Sequence, residues 1–210
     1  GLNEGGTSFE GHGFFEASSM RKVGEKYYFV YSSKLSHELC YAVSDYPDRE
    51  FTFGGTLISN GDIGYEGNQE PHNMMGNNHG GMVKANGQWY IFYHRQTHGT
   101  ESSRQGCAEK ITIQEDGSIK QVEMTSCGLN KGGLSDKGTY PAAIACNLMG
   151  KDSIGKITYG ASLKDTQPYI FEENNDLHYI ANIGDGVVVG YKYFAVEKLS
   201  KVVLCLRGDA

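Results

Sequence analysis

Phe14-Phe15-Glu16-Ala17-Ser18-Ser19-Met20-Arg21-Lys22 sets a single carboxylate between aromatic and small residues, and it is followed by Gly24 and the run Tyr27-Tyr28-Phe29-Val30-Tyr31. Apolar and aromatic runs on either side of a glycine turn predict an antiparallel strand pair. The layout recurs in Met82-Val83-Lys84-Ala85-Asn86-Gly87-Gln88-Trp89-Tyr90-Ile91-Phe92-Tyr93. Placing Gly24 on Gly87 shifts the chain by 63 residues. Met20 then falls on Val83, Arg21 on Lys84, Tyr27 on Tyr90, Phe29 on Phe92 and Glu16 on His79. Repeated units hold equivalent positions at equivalent depths, so the register points Glu16 and His79 toward one axis.

Working outward, residues 1–12 are Gly-rich and polar and read as a loop. Four strands are expected near 13–22, 26–33, 38–45 and 51–58, joined by short turns, which makes a meander. Residues 59–78 are too rich in Gly and Asn for a core strand and form a long connection. A second set of four is expected near 79–85, 88–95, 105–113 and 118–124, with Asn86-Gly87 and Asp116-Gly117 as hairpin turns. Two four-stranded meanders in succession are the pattern of propeller blades. From Cys127 to Tyr140 alternation gives way to Gly and Ser, marking a linker. Strand-like runs at 169–172, 177–183, 187–194 and 201–206 then have different punctuation. The fold expected is all-β: a partial propeller with about two four-stranded blades over 1–130, then a separate partial β-sandwich over 141–210.

Composition agrees with many short strands: 29 Gly and 14 Tyr in 210 residues, without sustained helical periodicity. The net charge of −6 supplies no clustered basic surface for nucleic acid or anionic lipid. No window has the roughly 18 apolar residues of a membrane helix, and the first residues lack a signal-peptide pattern. The chain opens abruptly, as a piece of a longer protein would. Cys40, Cys107, Cys127, Cys146 and Cys205 lack the paired spacing of zinc or thioredoxin-like motifs, and are expected as buried strand residues.

Phe15-Glu16-Ala17-Ser18-Ser19-Met20-Arg21-Lys22, Asn78-His79-Gly80-Gly81 ahead of Trp89-Tyr90-Ile91-Phe92-Tyr93-His94-Arg95, and Ser103-Arg104-Gln105 together resemble glycoside hydrolase family 43. These are five-bladed propeller enzymes that remove arabinose or xylose units from plant cell-wall polysaccharides such as arabinoxylan. The resemblance covers about residues 1–130. Tyr179-Ile180-Ala181-Asn182 and Gly190-Tyr191-Lys192-Tyr193-Phe194 resemble the start of a family 6 carbohydrate-binding module.

The resemblance implies an inverting hydrolase with one Glu as general acid, one Asp as general base and a second Asp that tunes the acid. Glu16 matches the acid. Both aspartates lie in blades that precede the acid's blade in the family, and no position here matches them, so the chain resembles the C-terminal part of such an enzyme. Completion by N-terminal blades or by self-association is the matching expectation for partners. His79 matches a histidine at the bottom of the channel, often beside a calcium held mostly through water. A structural calcium there is optional, and no cofactor is required. Arg104 matches an arginine that reaches into the active site.

Each residue also has a plainer reading. Glu16 between Phe14, Phe15 and Ala17 stands where partial desolvation favours the protonated form of an acid catalyst, yet it suits the outward face of an amphipathic strand equally. A histidine before two glycines is ordinarily a turn residue or a hydrogen-bonded core imidazole. Arg104 has the guanidinium fork to orient a carboxylate or sugar hydroxyls, or it is a solvated loop residue. Asp62 in the long loop reads as a turn former rather than the missing base. The contrasting class is a sugar-binding fragment that cannot hydrolyse.

Overall fold

A computed structural model describes residues 4–151 and 167–208. β1 (Phe14–Val23), β2 (Lys26–Ser33), β3 (Glu38–Ser44) and β4 (Thr52–Ser59) form one antiparallel sheet in sequence order. The tight turns supply that order: Gly24 at φ 58 closes the first hairpin, a backbone region that costs glycine little. β5 (Gly81–Ala85), β6 (Gln88–Gln96) and β7 (Arg104–Ile111) repeat the arrangement, with Asn86 and Gly87 both at positive φ in the hairpin turn.

The second meander has three strands rather than the four expected. Residues 118–124 carry only the isolated bridge of Ile113 with Ile119, and instead of extending the second sheet they cross to the first. Ile119 N donates to the Tyr41 hydroxyl (2.8 Å) and Val122 N donates to Leu57 O (2.9 Å). Ile119 and Met124 fill the core between the sheets with Tyr28, Tyr41, Leu57, Met82, Ile91 and Ile111. Their apolar spacing reads as a strand because it serves burial, and burial here is against the other blade. Each such side chain fully buried contributes roughly 1.5–3 kcal/mol.

Two glycines permit close approach at the start of β5, one within its own sheet and one against the first sheet. A Cβ on Gly80 would lie 1.8 Å from Phe92 O, and one on Gly81 would lie 2.7 Å from Ser19 Oγ. The first contact is with backbone, so the chain entering β5 passes β6 at a distance that only glycine permits. The second presses β5 against β1, the corresponding strand of the other blade.

After residue 134 the described elements are short: β8 (Leu134–Ser135), β9 (Asn147–Met149), β10 (Tyr169–Glu172), β11 (His178–Ala181), β12 (Val188–Gly190) and β13 (Phe194–Ala195). They pair as β10 with β11, β12 with β9, and β13 with β8 in parallel. A sandwich is not seen among the described residues. The expected strand at 201–206 is not formed either, and Val202, Val203, Leu204 and Leu206 are exposed.

These ribbons are bonded to the blades. Arg95 on β6, 4 % exposed, donates to Ala143 O (2.6 Å) and Ala145 O, while its Nε donates to Gln105 Oε1 (2.8 Å). Leu148 N donates to His72 O (2.8 Å), His98 N to Ile170 O (2.7 Å), and Cys146 joins the core between the blades. Cys40 is a buried strand residue as expected, Cys146 is buried but lies just ahead of β9, Cys127 lies outside any strand and Cys205 is exposed. No described helix is long and apolar enough to cross a membrane.

Candidate active site

Glu16 sits in an interrupted part of β1. Its cross-strand partner is Ser32, and the register with β2 slips between Phe14 and Glu16 and again between Glu16 and Ser19. Ala17, at φ 58, takes up the distortion. A bulge re-aims the side chain beside it, and backbone held in a sparsely populated region costs about 1–3 kcal/mol, which the surrounding packing must offset. The alternating pattern of the sequence gives no sign of this.

His79 lies just ahead of β5, and its Nε2 is 2.8 Å from Glu16 Oε1. The two positions paired by the 63-residue register therefore meet directly. Both side chains keep access to solvent, at 40 % for Glu16 and 32 % for His79. The aromatic shielding expected for Glu16 does not come from Phe15, which is exposed.

His94 of β6 stands edge-on to His79, with ring centroids 5.3 Å apart. In the sequence it stands out only as a member of the Trp89–Arg95 run. Both of its ring nitrogens are buried without a hydrogen-bond partner, and burial, with the Arg104 and His79 charges nearby, pushes its pKa down to about 4. His94 is therefore neutral near neutral pH. Buried Asn78 accepts the backbone N–H of His94 at 3.3 Å and donates to Asn60 Oδ1 at 3.2 Å, tying the segment ahead of His79 to β6 and to the turn at Asn60.

Arg104 opens β7 opposite Gln96. Its side chain is exposed and donates to Glu101 O at 3.3 Å. It is close enough to act on the charge of His94, but no hydrogen bond ties it to Glu16 or His79. Asp62 is away from this seam: it is 2 % exposed, accepts Met124 N (2.7 Å) and pairs with Lys192 (3.3 Å). Lys192 also holds Glu123 (2.7 Å). A cleft of about 430 Å³ borders Glu123, with Tyr65, Glu109, Thr125 and Tyr193 among its lining residues.

A calcium beside His79 would need six to eight oxygen ligands. The groups assembled there are one carboxylate and two imidazoles, and the only described cluster of three or more metal-ligating side chains lies elsewhere. Of the side chains assembled there Glu16 alone offers oxygen, so water would supply most of a calcium's shell, and no catalytic step is assigned to the ion.

The seam thus defines an all-β chain in which a carboxylic acid and an imidazole from two successive sheets meet at a solvent-accessible contact. No family model matches the chain. It is 49 % identical over 211 residues to a xylosidase/arabinosidase of Thermoclostridium stercorarium, covering 97 % of this chain and 45 % of that protein. It is 42 % identical over 84 residues to a β-xylosidase of Xylanibacter ruminicola, covering 40 % of this chain and 22 % of that protein. Among solved structures, CoXyl43, a GH43 β-xylosidase/α-arabinofuranosidase from a compost microbial metagenome crystallised with xylotriose in a calcium-free form, aligns with a TM-score of 0.43 and 32 % identity over 52 % of this chain and 30 % of that one. The chain spans less than half the length of these curated relatives. Over that part of their length the chain is similar to proteins described as xylosidases and arabinosidases, one of them, CoXyl43, described as a GH43 enzyme.

Proposed function

We propose that this chain carries the proton-donating side of an inverting glycoside hydrolase that removes α-L-arabinofuranosyl or β-D-xylosyl units from plant cell-wall polysaccharides such as arabinoxylan. The single observation that carries this reading is the hydrogen bond between Glu16 and His79 across the two blades. Inversion needs one protonated carboxyl at the leaving oxygen and one carboxylate about 6.5–9.5 Å away to activate water. Glu16 fills the first role. Its Oε1 is held by His79, which fixes the carboxyl while Oε2 faces the substrate. Neutral His94 packs behind His79 and limits its swing. Arg104, on the exposed rim, binds sugar hydroxyls.

The general base is proposed to come from blades outside this chain, because Asp62, the candidate within reach of sequence reasoning, is committed to Met124 and Lys192. The proposal for residues 141–210 is a sugar-binding surface next to the blades, supported by the resemblance at 179–182 and 190–194 and by the exposure of Tyr191 and Tyr193. Replacing both tyrosines with Ala should weaken retention on insoluble arabinoxylan.

The test of the main reading is turnover of aryl α-L-arabinofuranoside and aryl β-D-xyloside by the 210-residue chain alone and after addition of the N-terminal half of a relative. Activity is expected only in the second case. Equal turnover in both would place the base within this chain and refute the division of roles.

A further inference from the structure

We propose that His12, Glu38 and Cys40 form a site for a single divalent cation of the zinc class, separate from the Glu16 seam. Glu38 and Cys40 are two residues apart on β3, so their side chains leave the same face of the sheet. The loop ahead of β1 brings His12 onto that face. His12 Nδ1 lies 2.8 Å from Glu38 Oε1 and 4.0 Å from Cys40 Sγ, and the three ligand atoms all lie within 4.8 Å of one another.

The donor set selects the ion. One nitrogen, one oxygen and one sulfur make a borderline-soft combination suited to zinc, whereas calcium and magnesium take oxygen shells. Bonds of about 2.0–2.3 Å to a tetrahedral zinc set the ligand atoms roughly 3.3–3.6 Å apart, so the His12–Glu38 edge opens by about 0.5 Å and the His12–Cys40 edge closes by about as much. Glu38 and Cys40 are buried, but the His12 side chain is 35 % exposed, which leaves a fourth position open to water.

The surroundings hold the ligands as a metal site needs. Ser33 Oγ donates to Glu38 Oε1 (2.6 Å) and Thr56 Oγ1 to Glu38 Oε2 (2.9 Å). The His12 ring stacks on Phe53 at 4.7 Å, and the Tyr31 hydroxyl donates to His12 O at 2.7 Å. Binding would release the Cys40 thiol proton to solvent as the sulfur–metal bond forms. The bound ion would pin the entry loop to β3, four residues ahead of Glu16.

The test is titration of the metal-free chain with Co²⁺, followed by absorption and equilibrium dialysis, then competition with Zn²⁺. One equivalent of cobalt with a thiolate-to-cobalt charge-transfer band, displaced by zinc, is expected in the wild type and in Cys205→Ser. The band should vanish in Cys40→Ser and in His12→Ala, the latter keeping all five thiols. Zinc should raise the melting temperature of the wild type and not of His12→Ala. Absence of the band in the wild type, its loss in Cys205→Ser, or its survival in a His12→Ala protein with native circular dichroism would each overturn the proposal.

Discussion

Glu109→Gln should stabilise the protein at alkaline pH and leave it unchanged in acid. Glu109 lies inside β7, 5 % exposed, and accepts three hydrogen bonds: Thr125 N (2.7 Å) and the Tyr93 hydroxyl (3.3 Å) on Oε1, and Thr125 Oγ1 (2.7 Å) on Oε2. Burial outweighs these bonds, and with help from the Asp62 charge it pushes the carboxyl from its ordinary 4.5 up to about 7. A raised carboxyl binds its proton more tightly folded than unfolded. Its contribution is therefore complete below pH 4.5 and is lost as pH rises through about 7. At about 1.4 kcal/mol per pH unit, the loss amounts to roughly 3 kcal/mol.

Glutamine avoids that loss with the same shape: its oxygen accepts from Thr125 N and Tyr93, and its amide donates to Thr125 Oγ1. His94 slopes the other way, its contribution complete above 6.5 and lost as pH falls through about 4, and the substitution leaves it in place. Urea denaturation across about pH 4–8 should show the variant gaining roughly 1–3 kcal/mol over wild type at the alkaline end, with the curves converging in acid. A variant less stable than wild type at alkaline pH would refute the reasoning.

Gly80→Ala should cost about 1–3 kcal/mol or more, because its Cβ meets the Phe92 carbonyl at 1.8 Å and backbone cannot step aside; urea midpoints check this, and a neutral result would mean that β5 and β6 separate easily. Arg95→Lys keeps the charge but cannot reach Ala143 O, Ala145 O and Gln105 together. It should cost roughly 2–4 kcal/mol and speed proteolytic cutting within 142–149, and unchanged cutting would show that the ribbons hold to the blades without it.

The first meander was legible almost to the residue, because tight glycine turns and alternating aromatic residues leave one register: 26–33 was expected and Lys26–Ser33 is the strand. The register of Glu16 on His79 was legible for the same reason, since both follow from matched hairpins. The fate of 118–124 was not, because apolar spacing reports burial without naming the sheet that supplies it. Nor was the bulge at Ala17, which leaves the residue pattern untouched. His94 was hidden because its importance lies in lacking partners, a property of its surroundings. The His12, Glu38 and Cys40 cluster was equally hidden, since a loop joins residues too far apart in sequence for a motif. The tail was least legible: its runs alternate like strands, and among the described residues Arg95 and the core between the blades take up its backbone and Cys146.

The most direct test of Glu16 as proton donor is the leaving-group dependence of Glu16→Gln in the chain supplemented with the N-terminal half of a relative. A general acid matters most when the departing oxygen is basic. The account predicts a loss of about 10²–10⁴ in turnover with a poorly activated aryl leaving group, and little loss with dinitrophenol, which departs without a proton. The same fractional loss on both substrates, or none on either, would contradict it.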